Sequence, residues 1–138
     1  MTRALADASA LLLLAKHTDA ARLVEIAAEI ATLDLAVYET GNAIWKQARL
    51  LKLMSEGEAR EAQKALSTLI SRISMVRVDE LNHAEAMGVA LEQGIAYYDA
   101  CYLVAAKRLG LPLATEDRKL AGLKAGQRVV GWKQLLGE

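Results

Sequence analysis

Cysteine occurs once, at Cys101, and proline once, at Pro112, in this chain of 138 residues. One thiol cannot close an intramolecular disulfide, and no Cys/His cluster has the spacing of metal ligands. A disulfide scaffold and a zinc module are thereby excluded, and a reducing cytoplasm is the expected setting. With one proline and no Ser/Pro/Gly-rich stretch, no linker is visible, so residues 1–138 are expected to form a single domain. The glycines are scattered and form neither a P-loop nor a GxGxxG fingerprint. Long apolar runs are missing too. Leu11–Ala15 imitates the core of a signal peptide, but Asp7 lies before it and Lys16-His17 ends it. The run is too short and too charged to insert, so a soluble protein with no membrane partner is expected. An excess of either charge is also absent, since 17 basic residues balance 17 acidic ones. Generic nucleic-acid binders are strongly basic because phosphate neutralisation supplies most of their affinity. Any nucleic acid bound here must therefore rely on a local basic patch or on cations.

The composition is otherwise globular, with 54% hydrophobic and 25% charged residues, and the length suffices for one real core. Arg3–Ala6 reads as a short strand that runs through Asp7-Ala8-Ser9 into a helix over Ala10–Lys16. A second helix is expected over Ala20–Glu29, capped by Thr18 or Asp19, and Ile30–Thr32 as a short strand. Asp34 is expected to cap a long, mostly buried helix over Leu35–Leu51. Ser55 and Glu58 form a capping-box pattern ahead of an apolar stripe through Ala59, Ala62, Leu66, Leu69 and Ile73. Met75–Val78 then reads as a strand, Leu81–Gln93 as a helix stopped by Gly94, and Tyr98–Leu109 as a helix closed by Gly110. Leu111–Thr115, a short helix over Asp117–Leu123 and a strand at Arg128–Val130 complete the pattern. Strands alternating with helices predict an α/β fold with a short, mostly parallel central sheet covered on both faces.

In such a sheet, strand C-termini and the N-termini of the following helices share one edge, where ligands bind. Asp7 ends the first strand, Asp117 follows the fourth, Asp99 lies in the first turn of the helix after Gly94, and Glu39 lies near the start of the long helix. Adjacent carboxylates repel unless a cation intervenes. Magnesium takes one or two carboxylates directly and leaves room for substrate phosphates. Bound at an acidic edge, such ions assist in-line attack on a phosphodiester.

Taken singly, each acid has a structural explanation: Asp7 and Asp117 as helix caps, Asp99 as a first-turn acid facing the dipole. Glu39, flanked by Val37-Tyr38 and Ala43-Ile44-Trp45, is less easily explained that way. Other chemistries fit poorly. His17 and His83 are expected at loops or the surface, and Cys101 in the core. Ser9 has no triad context. A phosphatase would need Asp-x-Asp, whereas Asp7-Ala8-Ser9 stands here.

Three blocks of sequence resemble the PIN-domain family. Asp7-Ala8-Ser9 is similar to its opening Asp-x-Ser/Thr, and Tyr38-Glu39-Thr40-Gly41-Asn42-Ala43-Ile44-Trp45 to its second block. Tyr98-Asp99-Ala100-Cys101-Tyr102 and Leu111-Pro112-Leu113-Ala114-Thr115-Glu116-Asp117 resemble its third. Ile95-Ala96-Tyr97 departs from the family in lacking the Ser/Thr often found before that last helix. The resemblance implies a three-layer α/β/α sandwich with Asp7, Glu39, Asp99 and Asp117 as catalytic residues and ligands of Mg²⁺ or Mn²⁺. It implies supporting roles for Ser9, Asn42 and Thr115. The implied activity is endoribonuclease hydrolysis of single-stranded RNA by a metal-activated water, leaving 5′-phosphate and 3′-hydroxyl ends. A compact chain of this kind is similar to VapC toxins, which implies a homodimer and a VapB-like antitoxin. Lys46, two turns beyond Glu39, with Arg49, Arg118 and Lys119, are the expected phosphate contacts; a solvated surface is an equal reading for the last two. The alternative function is a PIN-fold binding or regulatory module, acting through an antitoxin–DNA complex with little catalysis.

Overall fold

The computed structural model describes residues 1–123 and 126–137. Among these, five parallel strands form one sheet: β1 (Ala4–Ala6), β2 (Ile30–Leu33), β3 (Ser74–Val76), β4 (Leu113–Ala114) and β5 (Val129–Val130). Their order is β3-β2-β1-β4-β5, so β1 is central. Residues of β1, β2 and β4 are buried throughout, as required of strands covered on both faces.

The helices among the described residues are α1 (Ala8–His17), α2 (Ala20–Ala27), α3 (Leu35–Arg49), α4 (Glu56–Ile70), α5 (His83–Gln93), α6 (Tyr97–Leu109) and α7 (Arg118–Ala121). Strand order steps from β1 to β2 to β3 and then returns to β4. Right-handed crossovers therefore place α1–α4 on one face and α5–α6 on the other. The packing agrees: α1, α3 and α4 touch one another and α2 touches α4, while α5 packs on α6 and α6 lies across β1, β2 and β4. The core of α6 runs unbroken from Ala100 to Ala106. Cys101 lies within that buried stretch, as expected.

Local chemistry sets most of the boundaries. Asp7 caps α1, Asp19 caps α2, Ser55 and Glu58 close a reciprocal capping box on α4, and Asn82 caps α5. Gly94 and Gly110 end α5 and α6 in the left-handed region, at φ +66° and +67°. Ala96 precedes α6 with no side-chain cap, the departure read from Ile95-Ala96-Tyr97.

Several expectations need correction. Asp34 does not cap α3; its backbone is helical, and its Oδ1 accepts from the Val78 amide at 2.9 Å. It fixes the end of β3 instead, because a partner 44 residues away offers a free N–H. Helix α3 is only partly buried, through Ala36, Thr40 and Ile44, and it exposes Val37, Tyr38 and Trp45. The strand expected over Leu111–Thr115 shrinks to Leu113–Ala114, and Val78 belongs to a 3₁₀ turn over Val78–Glu80. The C-terminal Trp132–Leu136 forms another 3₁₀ turn that packs onto α1. Leu135 is buried there, His17 stacks on Trp132, and Arg3 and Arg22 donate to the carbonyls of Leu135 and Leu136.

Gly110→Ala is expected to lower stability by about 1–2 kcal/mol. No neighbour crowds a Cβ at that position, so the cost comes from the left-handed backbone alone. Urea denaturation checks this, and an unchanged midpoint would mean that the helix end is not held at positive φ.

Candidate active site

The four acids reach the sheet edge by different routes. Asp7 follows β1 and is 5% exposed. Its Oδ1 accepts from Ser9 Oγ at 2.6 Å and from the Ala10 amide at 3.1 Å, and its Oδ2 accepts from Thr115 Oγ1. The cap and the candidate site thus share one residue: one oxygen starts α1, while both are held by hydroxyls, one from the first turn of α1 and one from the residue after β4. Ser9 Oγ and Thr115 Oγ1 in turn accept the amides of Glu116 and Asp117 at 2.9 and 3.0 Å. The two hydroxyls expected to support the acids therefore stitch the end of β4 to the start of α1.

Asp117 caps α7 through Oδ1, which accepts the amides of Lys119 and Leu120 at 2.8 and 3.3 Å. Among the described residues its other oxygen accepts no hydrogen bond. Asp99 is half-buried in the first turn of α6. Glu39, half-buried in the second turn of α3, accepts from Tyr102 Oη at 2.6 Å through Oε1. Asn42 is exposed, and among the described residues no hydrogen bond ties it to the acids.

The fold brings Asp7 within electrostatic range of Asp117, Asp99 and Glu39. Burial pushes the Asp7 carboxyl above its ordinary value; bonds from Ser9, Thr115 and Ala10 oppose the rise, and the charge of Asp117 adds to it. Asp99 rises through burial first and then through the charges of Asp117 and Asp7, with Lys119 pulling it back. Glu39 rises through burial, against the Tyr102 bond and with the charges of Asp99 and Asp7. Three carboxyls lifted by burial and by their neighbours describe an edge with unbalanced negative charge.

The donor set is all oxygen, which suits a hard divalent cation. Among the described residues no three carboxylate, imidazole or thiol groups already close round a single point. An ion that keeps several waters and takes one or two carboxylates directly does not require such a cage. Asp7, Glu39, Asp99 and Asp117 carry the carboxylate oxygens that would hold such an ion.

The expected phosphate contacts divide. Lys119 is exposed at the start of α7 and close enough to Asp99 to act on its ionisation. Arg118 is exposed beside it. Lys46 and Arg49 are exposed further along α3, with Arg49 at 4.0 Å from Glu56 in an exposed ion pair. Ten residues of helix put Arg49 about 15 Å from Glu39 along the axis. Tyr102 is the residue that sequence reading overlooked. The available signal was its spacing from Asp99, three residues along α6, which places a polar-tipped aromatic on the face of an acid.

The chain matches the family model described as PIN domain over residues 4–125. It is 38% identical over 122 residues to Exonuclease VapC9 of Pyrobaculum aerophilum, covering 88% of this chain and 86% of that protein. Ribonuclease VapC3 of the same organism is 37% identical over 106 residues, 77% and 79% of the two chains. A crystal structure from P. aerophilum superposes with a TM-score of 0.80 at 34% identity, covering 99% of this chain and 88% of that one. The DNA-bound VapBC structure from Salmonella typhimurium gives a TM-score of 0.68 over 96% and 99% of the chains, and at 16% identity it speaks to fold alone. With the model spanning most of its length and two curated relatives above a third identical, this chain belongs to the PIN domain family.

Proposed function

We propose that residues 1–138 act as one nuclease domain, a metal-dependent endoribonuclease that cleaves single-stranded RNA as the toxin of a toxin–antitoxin pair. The placement that supports the reading is Asp7, Asp99 and Asp117 at the strand ends and helix starts of one sheet edge, with Glu39 of α3 hydrogen-bonded to Tyr102 of α6. The nuclease and VapC names of the curated relatives support the activity and the toxin class. Mg²⁺ or Mn²⁺ held there would supply Lewis acidity toward water and the scissile phosphate. The chain's own residues do the rest: Asp99 and Asp117 offer carboxylate oxygens, Ser9 and Thr115 fix Asp7, and Lys119 meets a phosphate beside Asp99. Lys46 and Arg49 extend the phosphate path along α3, and local cations of this kind answer a net charge of zero.

The same proposal includes a VapB-like antitoxin, a cytoplasmic setting and a homodimer. Among the described residues no helix is long and apolar enough to cross a membrane. Met87 and Leu91, one turn apart and exposed on α5, offer a second copy an apolar stripe. The alternative of a binding module with little catalysis would leave an electrostatically costly edge without a use.

The reading is tested with protein purified by gel filtration, where elution as a dimer is expected, and a circular single-stranded RNA. Cutting in Mn²⁺ or Mg²⁺, abolished by EDTA and lost by at least ~10²-fold in Asp99→Asn, is the expected result. A circle has no ends, so only endonucleolytic attack opens it. A folded, antitoxin-free protein that neither cuts nor binds Mn²⁺ would move the function to the binding module.

Acids raised by burial and by like charge stabilise the fold below their ordinary range and lose that contribution as pH rises through the raised value. In EDTA, Asp99→Asn is therefore expected to melt a few degrees above the wild type at pH 7. The gap should close as pH falls below the usual carboxylate range, about 4. Melting curves at several pH values check this, and a gap independent of pH would assign the effect to packing.

Lys119→Ala, and Lys46→Ala with Arg49→Ala, are each expected to weaken RNA binding. The slope of log affinity on log salt should fall by about 0.7 for each phosphate that is no longer neutralised. Fluorescence anisotropy across a salt series measures both, and an unchanged slope removes the residue from the RNA path.

A further inference from the structure

Two of the four acids, Asp7 and Asp117, are fixed by accepting free amides at the starts of α1 and α7, and Asp99 stands in the first turn of α6. Glu39 has no such anchor. It lies in the second turn of α3, where backbone amides are already used within the helix. Its side chain is longer by one rotatable bond, and its hydrogen bond comes from another element, the hydroxyl of Tyr102 at 2.6 Å. Tyr102 is 1% exposed and belongs to α6, on the opposite face of the sheet from α3.

A phenol buried to that degree must find an acceptor or lose the hydration it gave up. Here the acceptor is a carboxylate, which makes the bond charge-assisted, and its length agrees. The phenol is the donor of the pair and Glu39 Oε1 the acceptor.

We propose that Tyr102 is a positioning residue of this site: its hydroxyl holds Glu39 by Oε1 beside Asp7 and Asp99 and leaves Oε2 free for a cation. The contact stands on geometry alone; its use in cation binding rests on the nuclease reading above. Without the hydroxyl, Glu39 regains the rotamers of an ordinary half-exposed glutamate, and the edge loses one arm of its ligand set. Partners of ligating groups typically affect metal affinity or activity by 10–100-fold when removed, an effect on the order of 10-fold or more being expected here.

Two measurements on the full chain decide the matter. Mn²⁺ titrations of the wild type, Tyr102→Phe, Glu39→Gln and the double variant form a cycle. Weaker Mn²⁺ binding in Tyr102→Phe, with no further loss when Tyr102→Phe is added to Glu39→Gln, is expected. Equal losses in both backgrounds would make Tyr102 a merely structural residue. The second measurement needs no metal: side-chain couplings of Glu39 by NMR in EDTA. One rotamer in the wild type and averaging in Tyr102→Phe, with the backbone spectrum retained, is expected; one rotamer kept in the variant overturns the proposal. Should Tyr102→Phe not fold, Glu39→Ala offers the reverse view, since loss of its acceptor must move the Tyr102 ¹³Cζ shift; an unmoved shift overturns it equally. A wild type that binds no Mn²⁺ counts against the nuclease reading, while the couplings still decide the role of Tyr102.

Discussion

Asp7 sits almost wholly buried at the end of the central strand, where its carboxylate accepts from Ser9, Ala10 and Thr115. Those three bonds begin α1, join the end of β1 to the end of β4, and place a charge in the interior edge of the fold. Burying a carboxylate this way costs several kcal/mol unless its lone pairs are met. Here they are met largely by groups that themselves would lack partners, a helix amide and two hydroxyls. The hydroxyls pass the constraint on, since each also accepts an amide from the Thr115–Asp117 turn. The position of Asp117 thus follows from that of Asp7.

The rest of the edge is assembled from both layers. Helix α3 carries Glu39 from one face of the sheet and α6 carries Asp99 and Tyr102 from the other. Short strands of small residues, such as Ala4-Leu5-Ala6, let α6 pack across three strands at once. That close packing brings the phenol of one layer to the carboxylate of the other. The stability given up at this edge is recovered in a core of leucines and isoleucines from the strands, α1, α2 and α4 on one side and the buried Ala100–Ala106 stretch of α6 on the other.

Much of this was legible in the residues. The capping box at Ser55 and Glu58, the glycine stops at Gly94 and Gly110 and the alternation of strands and helices depend on short-range rules, and they appear in the structure within a residue or two. Departures came where a distant partner overrode a local preference. Asp34 has the residue type of a cap but bonds to Val78, and α3 carries apolar residues that the fold leaves exposed. Local propensity is a weak prior whenever tertiary contacts compete with it.

A parallel sheet wrapped by helices, with four acids near strand ends and helix starts, follows from the order of the residues alone. Period and caps are properties of a few neighbouring residues, and a chain carries them in plain order. It takes the packed fold to bring Asp7 within electrostatic range of Asp117, Asp99 and Glu39. The tertiary structure alone decided that Asp7 answers to Thr115 and Glu39 to Tyr102. Those partners lie 108 and 63 residues apart, and no local pattern encodes a contact that depends on how two layers pack across a sheet.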